Sequence, residues 1–427
     1  MKRNVLIVGA GGVAHVAAHK FAQNNDLFGN IYLVSRSIKD CQEIIKSIER
    51  KNNYKIAENK IEVAQIDALD IPSVIEKIKK WNISITVNVA SAFCNMSILQ
   101  ACIETGSAYI DTAIHEDPDK VCEDPPWYAN YEWKRKDKCA QNKVTAVLGA
   151  GFDPGVVNAY AAYAKKHFFD KIDSIDIMDV NVGSHGKYFA TNFDPEINFR
   201  EFRKVWAWID KKWVCSPVHS QKMIYDFPVV GKQPIYLTGH DELHSLSKNM
   251  DVNSIRFWMG FSDHFINCFT VLKNIGLLSE HPVKTLEGVE VVPLKVVKAC
   301  LPDPKSLAPN YTGSTCIGDL IAGQKDGENK ALFVYNICDH KTCYNEVESQ
   351  AISYTAGVPP VAAAILIAKE IWDVKKMVNV EELDPDPFID LLNNMGISTE
   401  TMEMDYSKVK SMKSEEVKNE RNLESCS

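Results

Sequence analysis

A chain of 427 residues that is 45% hydrophobic and 24% charged can bury one large core or two domains, and its charge balance is ordinary for a globular protein. Its net charge of −8 argues against a nucleic-acid-binding surface and suits a cationic small substrate without requiring one. Twelve cysteines without regular spacing argue against a disulfide framework, and an N-terminal apolar run cut by Gly9, Gly11 and Gly12 fails as a signal-peptide core. The expectation is a cytoplasmic protein with reduced thiols and no membrane partner, because the longest apolar segment, 358–368, is too short to span a bilayer and holds two prolines.

In chain order, the first 150 residues alternate in type. A strand over 4–10 leads to a helix over 12–25, then a strand over 30–36 and an amphipathic helix through 41–51. Strands over 61–67 and 84–90 flank a helix over 71–81, and strands over 107–113 and 144–152 complete the series. Such alternation predicts a Rossmann-type, doubly wound parallel sheet over 1–152. Beyond it, 172–184, 204–214 and 253–261 have strand character and 266–278 helix character, so 153–350 is expected to be a second α/β domain with a mixed sheet that binds substrate and forms the dimer. Helices over 354–372 and 383–396 place 351–403 back on the first domain. The charged, apolar-poor segment 404–427 is expected to be a flexible tail.

Gly9-Ala10-Gly11-Gly12-Val13-Ala14 fits the G-x-G-x-x-[GA] fingerprint and lies between a strand and a helix, where that pattern has mechanical meaning. Gly9 permits the tight turn, and Gly11 admits a diphosphate to the N–H groups of the helix start. Ala14 allows helix and strand to pack closely. At the end of the second strand, Ser35-Arg36-Ser37 stands where NAD-preferring sites usually carry an acid. Arg36 can pair with a 2′-phosphate, so NADPH is expected over NADH. Asp67 is placed to approach the adenine, and Asn88, Ala90 and Ser91 to border the nicotinamide. Helix caps or turns would use the same residue types.

"VLIVGAGGVA", "LVSRS", "ACIETGSAYIDTA" (101–113) and "GAGFDPGVVNAYA" (149–161) together resemble the saccharopine dehydrogenase/reductase family. "NFDPEINFREF" (192–202), "RFWMGFSDHFINCFTVLKNIGLL" (256–278), "YTGSTCIG" (311–318) and "QAISYTAGVPPVAAA" (350–364) look like its carboxynorspermidine/carboxyspermidine dehydrogenase branch. The resemblance covers nearly the whole chain and fails only in the charged tail. It implies a homodimer in which NADPH reduces the imine formed between L-aspartate β-semialdehyde and putrescine or 1,3-diaminopropane.

That chemistry calls for a general acid and base, carboxylates for the amine cations and a cationic clamp for the carboxylate. Asp111 and Asp153, at the carboxyl ends of successive strands, are candidates to stabilise the iminium or hold the diamine; either type also serves in caps and turns. Glu196 is the candidate for the remote ammonium, Arg200 for the carboxylate and His264 for the acid/base. No metal site is expected, since "HDELH" (240–244) lacks the zinc-helix spacing and "CDHKTC" (338–343) lacks a second pair. Two alternatives stay open. One is a saccharopine reductase acting on amino-adipate semialdehyde and glutamate; the other is a non-catalytic NADP(H)-binding sensor.

Overall fold

A computed structural model describes residues 2–417 apart from 121, 122, 201, 203 and 204. Strands β1 (Asn4–Val8), β2 (Ile31–Ser35), β3 (Ile61–Gln65), β4 (Ile83–Asn88), β5 (Ala108–Ile110) and β6 (Ala146–Leu148) form a parallel sheet in the order 3-2-1-4-5-6. A seventh strand, Met377–Asn379, comes from far down the chain and pairs with β6. The order reverses between β1 and β4, so the crevice outside their carboxyl ends is the ligand position this fold provides.

The second sheet has ten strands and is mixed, as expected. Its centre is β7 (Lys171–Ser184), followed in the chain by β8 (Val205–Ile209), β9 (Lys212–Ser216), β10 (Gln221–Phe227), β11 (Gly231–Thr238) and β12 (Ser254–Gly260). On one side β7 pairs in parallel with β12; on the other it pairs antiparallel with Thr312–Lys325, which turns back into Glu328–Asp339. Alternation along these strands separates two faces. Ile175, Ile177, Phe257, Ile317 and Ile321 face the first sheet and join a core shared with its helices. Met178, Val180, Trp258, Cys316 and Leu320 face the other way, under Phe199, Phe269, Leu294 and Val297. One apolar core therefore runs through both lobes and holds the crevice walls together.

Three sequence expectations change. The single strand over 204–214 is the hairpin β8–β9, because Asp210 and Lys211 adopt positive φ (48 and 60) at its turn. The helix over 354–372 is two helices, Ala351–Gly357 and Pro359–Ala368, both packed into the shared core. The segment 404–427 has regular structure as far as it is described: it leaves the strand Glu400–Met404, which pairs with Glu328–Asp339, and its Glu415–Glu416 pairs with β10. Between them a short helix, Tyr406–Ser411, is capped by Asp405 and buries Val409. Sheet edges with free backbone groups draw in even an apolar-poor segment. Residues 418–427 lie outside the described part.

Candidate functional site

At the glycine turn, each glycine has its own reason. Gly9 adopts φ +125, and a Cβ there would stand 2.7 Å from the Val89 carbonyl oxygen, so β1 can turn this close to β4 only without a side chain. A Cβ on Gly12 would stand 2.6 Å from Ser353 Oγ on the returning helix. Gly11 differs: a Cβ there would meet nothing within 4 Å. The space over the first turn of helix Gly12–Gln23 is open, and that turn carries no acidic residue, which leaves its N–H groups free to receive an anion. Ala14 is fully buried, and Val13 packs half-buried against the same core.

The rim of the crevice follows from the next strand ends. Ser35 Oγ accepts the Ser37 N–H at 3.3 Å, and Ser37 caps helix Ile38–Lys51, which leaves Arg36 projecting into solvent at the end of β2. Asp67 is exposed and accepts the N–H of Leu69 at 3.0 Å. Burial raises the Cys94 thiol's pKa; Arg36 and Asp67 act on it in opposite senses, which puts both charges at one end of the crevice. Asn88 requires correction. It is 2% exposed and spends its amide on Asn95 Oδ1 (2.8 Å) and its carbonyl on the Ala90 N–H (3.1 Å), so it shapes the loop and does not face a ligand. Ala90 is half-buried and Ser91 exposed, both on the rim.

Below β5 and β6 the structure gathers acids. Asp111 accepts the Gly149 N–H at 2.6 Å, while its second oxygen is buried without a partner, and burial pushes its pKa up to about 7. Glu132, fully buried, accepts the His115 N–H at 2.7 Å; burial and the neighbouring Asp111 push it up to about 8. Asp111, like Asn88, requires correction: at 1% exposed it lies beneath the crevice and does not hold the diamine directly. Asp153 sits half-buried in the tight loop 149–155, whose backbone closes so sharply that a Cβ on Gly155 would stand 2.2 Å from the Gly151 carbonyl oxygen.

Two acids that sequence reasoning missed are half-buried on the crevice wall. Glu116 follows β5, and Asp241 reaches over from the second lobe to accept the Ile114 N–H at 2.7 Å. Burial, reinforced by Asp241, pushes Glu116 up to about 7. Burial pushes Asp241 up to about 6, with His240 pulling the other way. Behind them Asp179 is raised by burial, and Asp319 is fully buried with neither carboxylate oxygen paired. Nothing in the local sequence marks these residues as a group. Topology alone brings residues 111, 116, 132 and 241 together, and sets 179 and 319 near Glu242, the residue after Asp241.

Three further predicted residues are corrected by their surroundings. Arg200 does reach the crevice, but both ends of its guanidinium are engaged: Nη1 with Glu116 at 3.2 Å, Nη2 with Glu280 at 2.9 Å. Its side chain is 6% exposed, so it orients Glu116 and cannot clamp a substrate carboxylate as well. Glu196 pairs with Lys298 at 3.3 Å, beside the helix that covers the outer face of the second sheet. His264 is exposed on that same side, bonded to the Tyr188 carbonyl at 2.8 Å. The pentapeptide "FSDHF" leads into a helix whose core contact, Phe269, belongs to the outer core, which turns His264 away from the crevice.

The raised acids predict a pH response. A carboxyl whose pKa rises on folding stabilises the folded state while protonated, and that contribution is lost as pH rises through the folded value. Buried histidines with lowered pKa, His244 (about 3) and His340 (about 4), act oppositely, but only up to the unfolded value near 6.5. Between pH 6.5 and 8 the acids act alone. The thermal midpoint of the ligand-free protein should fall by several degrees over that interval; a midpoint that climbs steadily to pH 8 would contradict these assignments.

Comparison with known proteins matches the two lobes separately. Residues 5–147 match the saccharopine dehydrogenase NADP binding domain and 151–397 the saccharopine dehydrogenase C-terminal domain. The chain is 44% identical over 402 residues to a carboxynorspermidine synthase of Vibrio alginolyticus, covering 94% of this chain and 97% of that protein. It is 41% identical over 402 residues to a carboxyaminopropylagmatine dehydrogenase of Synechocystis sp., covering 92% and 96%. Among solved structures, saccharopine dehydrogenase (L-Glu forming) of Saccharomyces cerevisiae shares the fold at a TM-score of 0.66 and 12% identity, over 94% of this chain and 100% of that one. Homospermidine synthase of Legionella pneumophila shares it at 0.66 and 13%, over 96% and 94%. With a glycine turn open to a dinucleotide and family matches across both lobes, the chain belongs to the saccharopine dehydrogenase family of nicotinamide-dependent oxidoreductases.

Proposed function

We propose that this protein joins L-aspartate β-semialdehyde reductively to an amine, putrescine or 1,3-diaminopropane, giving carboxyspermidine or carboxynorspermidine in polyamine biosynthesis. The observation that carries the reading is the half-buried pair of acids Glu116 and Asp241 on a crevice wall whose facing cation, Arg200, is already bonded to Glu116 and Glu280. Such a wall attracts ammonium groups. It suits glutamate, the second partner of a saccharopine reductase, poorly, because a dicarboxylate would need a free cation there. The relatives' names agree in chemistry, since both products carry a carboxylated aminopropyl unit on an amine.

Amine and aldehyde first give a carbinolamine, which must lose water. Glu116, protonated in part at neutral pH and fixed by Arg200, is the group to donate that proton to the departing hydroxyl. Asp241, with its lower pKa, stays ionised and stabilises the iminium carbon–nitrogen bond through its charge. When bound, the reduced nicotinamide supplies the hydride that completes the secondary amine. Asp111 and Glu132 beneath hold protons out of contact with solvent and keep the 111–118 loop in place through Gly149 and His115.

NADPH is preferred over NADH in this reading. Arg36 extends from β2 with no acid at that strand end, and charge-assisted bonds of this kind are worth roughly 1.5–3 kcal/mol. Arg36→Glu should weaken NADPH binding by about 10- to 100-fold and leave NADH within a few-fold. Equal losses for both would place the 2′-phosphate elsewhere. The same reading includes a homodimer in a reducing, cytosol-like compartment; Val271, Ile275, Leu286 and Val289, all more than half exposed, support an apolar contact face around helix Asp263–Asn274. Calorimetric titration of the NADP⁺-loaded protein tests the amine assignment: 1,3-diaminopropane, putrescine or agmatine should bind at pH 8 and glutamate should not. Binding of glutamate alone would favour the saccharopine reductase.

A further inference from the structure

The second lobe touches the glycine turn through one side chain that no part of the proposed chemistry uses. Lys305 lies in the short 3₁₀ segment Pro304–Asn310, and its ammonium group donates to the Ala10 carbonyl at 2.5 Å, in the middle of the Gly9–Gly12 turn. The segment is rigidly mounted. Asp303 caps it through the Lys305 N–H at 2.9 Å, and Leu307 and Tyr311 form a small core of their own with Ala190. Tyr311 lies flat on His340 at 3.7 Å between ring centres and is hydrogen-bonded to Asn181 and Asn192. Lys305 itself is exposed, and its charge is felt by His15 on the first-lobe helix and by Cys41 on the next.

A neutral carbonyl is a modest partner for an ammonium group that has two further protons to donate. The next residue, Gly11, opens onto the space where the helix N–H groups would receive an anion. We propose that Lys305 is a dinucleotide-binding residue contributed by the second lobe, whose ammonium group turns from the Ala10 carbonyl to the diphosphate seated over Gly11. The nucleotide site is then complete only with both lobes in place. The inference rests on the dinucleotide reading of the glycine turn and assigns a residue outside the fingerprint to it.

Direct binding tests it without substrate. Dissociation constants for NADPH and NADH are measured by fluorescence at low and moderate salt for the wild type, Lys305→Met, Lys305→Gln and Lys305→Arg. Both uncharged variants should bind both nucleotides about 10- to 100-fold more weakly, and by the same factor for each, with a shallower salt dependence; Lys305→Arg should recover most of the loss. The thermal midpoint without nucleotide should be common to all four, as befits an exposed side chain, while the rise on adding NADPH should shrink in the uncharged pair. Affinities within twofold of the wild type would overturn the proposal. A loss confined to NADPH would overturn it too, by moving the lysine to the 2′-phosphate. A wild-type protein that binds neither nucleotide would instead overturn the dinucleotide reading itself.

Discussion

Gly11→Asp should abolish dinucleotide binding and leave the protein folded. A Cβ at this position would meet nothing within 4 Å, so the side chain starts out into open space. Residue 11 is also the N-cap of helix Gly12–Gln23, where aspartate is among the best residues and a negative charge meets the positive end of the helix dipole. The thermal midpoint should therefore hold or rise. The same carboxylate occupies the open space over the first turn, competes for its N–H groups and repels a diphosphate. NADPH affinity should drop by at least about 100-fold, roughly 2.7 kcal/mol. Gly11→Ala, which adds bulk without charge, should lose less. Stability retained together with affinity lost distinguishes a binding surface from a turn that merely needs glycine, as Gly9 does. Normal NADPH binding by Gly11→Asp would mean that no phosphate lies there.

The second large effect concerns Glu116. Glu116→Gln keeps the side chain's length and its ability to accept from Arg200, so fold and crevice shape should survive. What it loses is a transferable proton. Turnover should fall by about 10²- to 10⁴-fold, with little change in KM for the amine if Asp241 provides most of the charge attraction. The pH profile adds an independent readout. A group that burial and Asp241 hold at about 7 should produce an alkaline limb in kcat for the wild type that disappears in the residual activity of the variant. Turnover within threefold of the wild type would exclude Glu116 as the acid.

How much of this the chain discloses depends on whether the signal is local. The dinucleotide turn is local: a strand, three glycines and a helix start lie within twenty residues, and each glycine's role follows from its neighbours. The long hairpin Thr312–Asp339 also carries a local signal, one that sequence reasoning passed over: Asp326-Gly327 forms its turn with both residues at positive φ (51 and 82). The acidic wall is different. Glu116 and Asp241 lie more than a hundred residues apart and become neighbours only because the shared core sets the second sheet against the carboxyl ends of the first. Arg200 and Glu196 show the converse. Their types suited the substrates, but each found a nearer partner, in Glu280 and Lys298, that sequence spacing does not reveal. His264 was misplaced because strand alternation and helix packing decide which face of a sheet its helix covers.

Reductive joining of an aldehyde to an amine at the acidic wall is tested most directly by NADPH oxidation with paired substrates. Purified protein should oxidise NADPH when L-aspartate β-semialdehyde is supplied together with 1,3-diaminopropane or putrescine, with neither partner sufficient alone. Mass spectrometry should find the secondary amine, carrying one deuterium when the hydride donor is labelled. Oxidation with amino-adipate semialdehyde and glutamate in place of that pair would contradict it, as would tight NADPH binding without turnover of any pair.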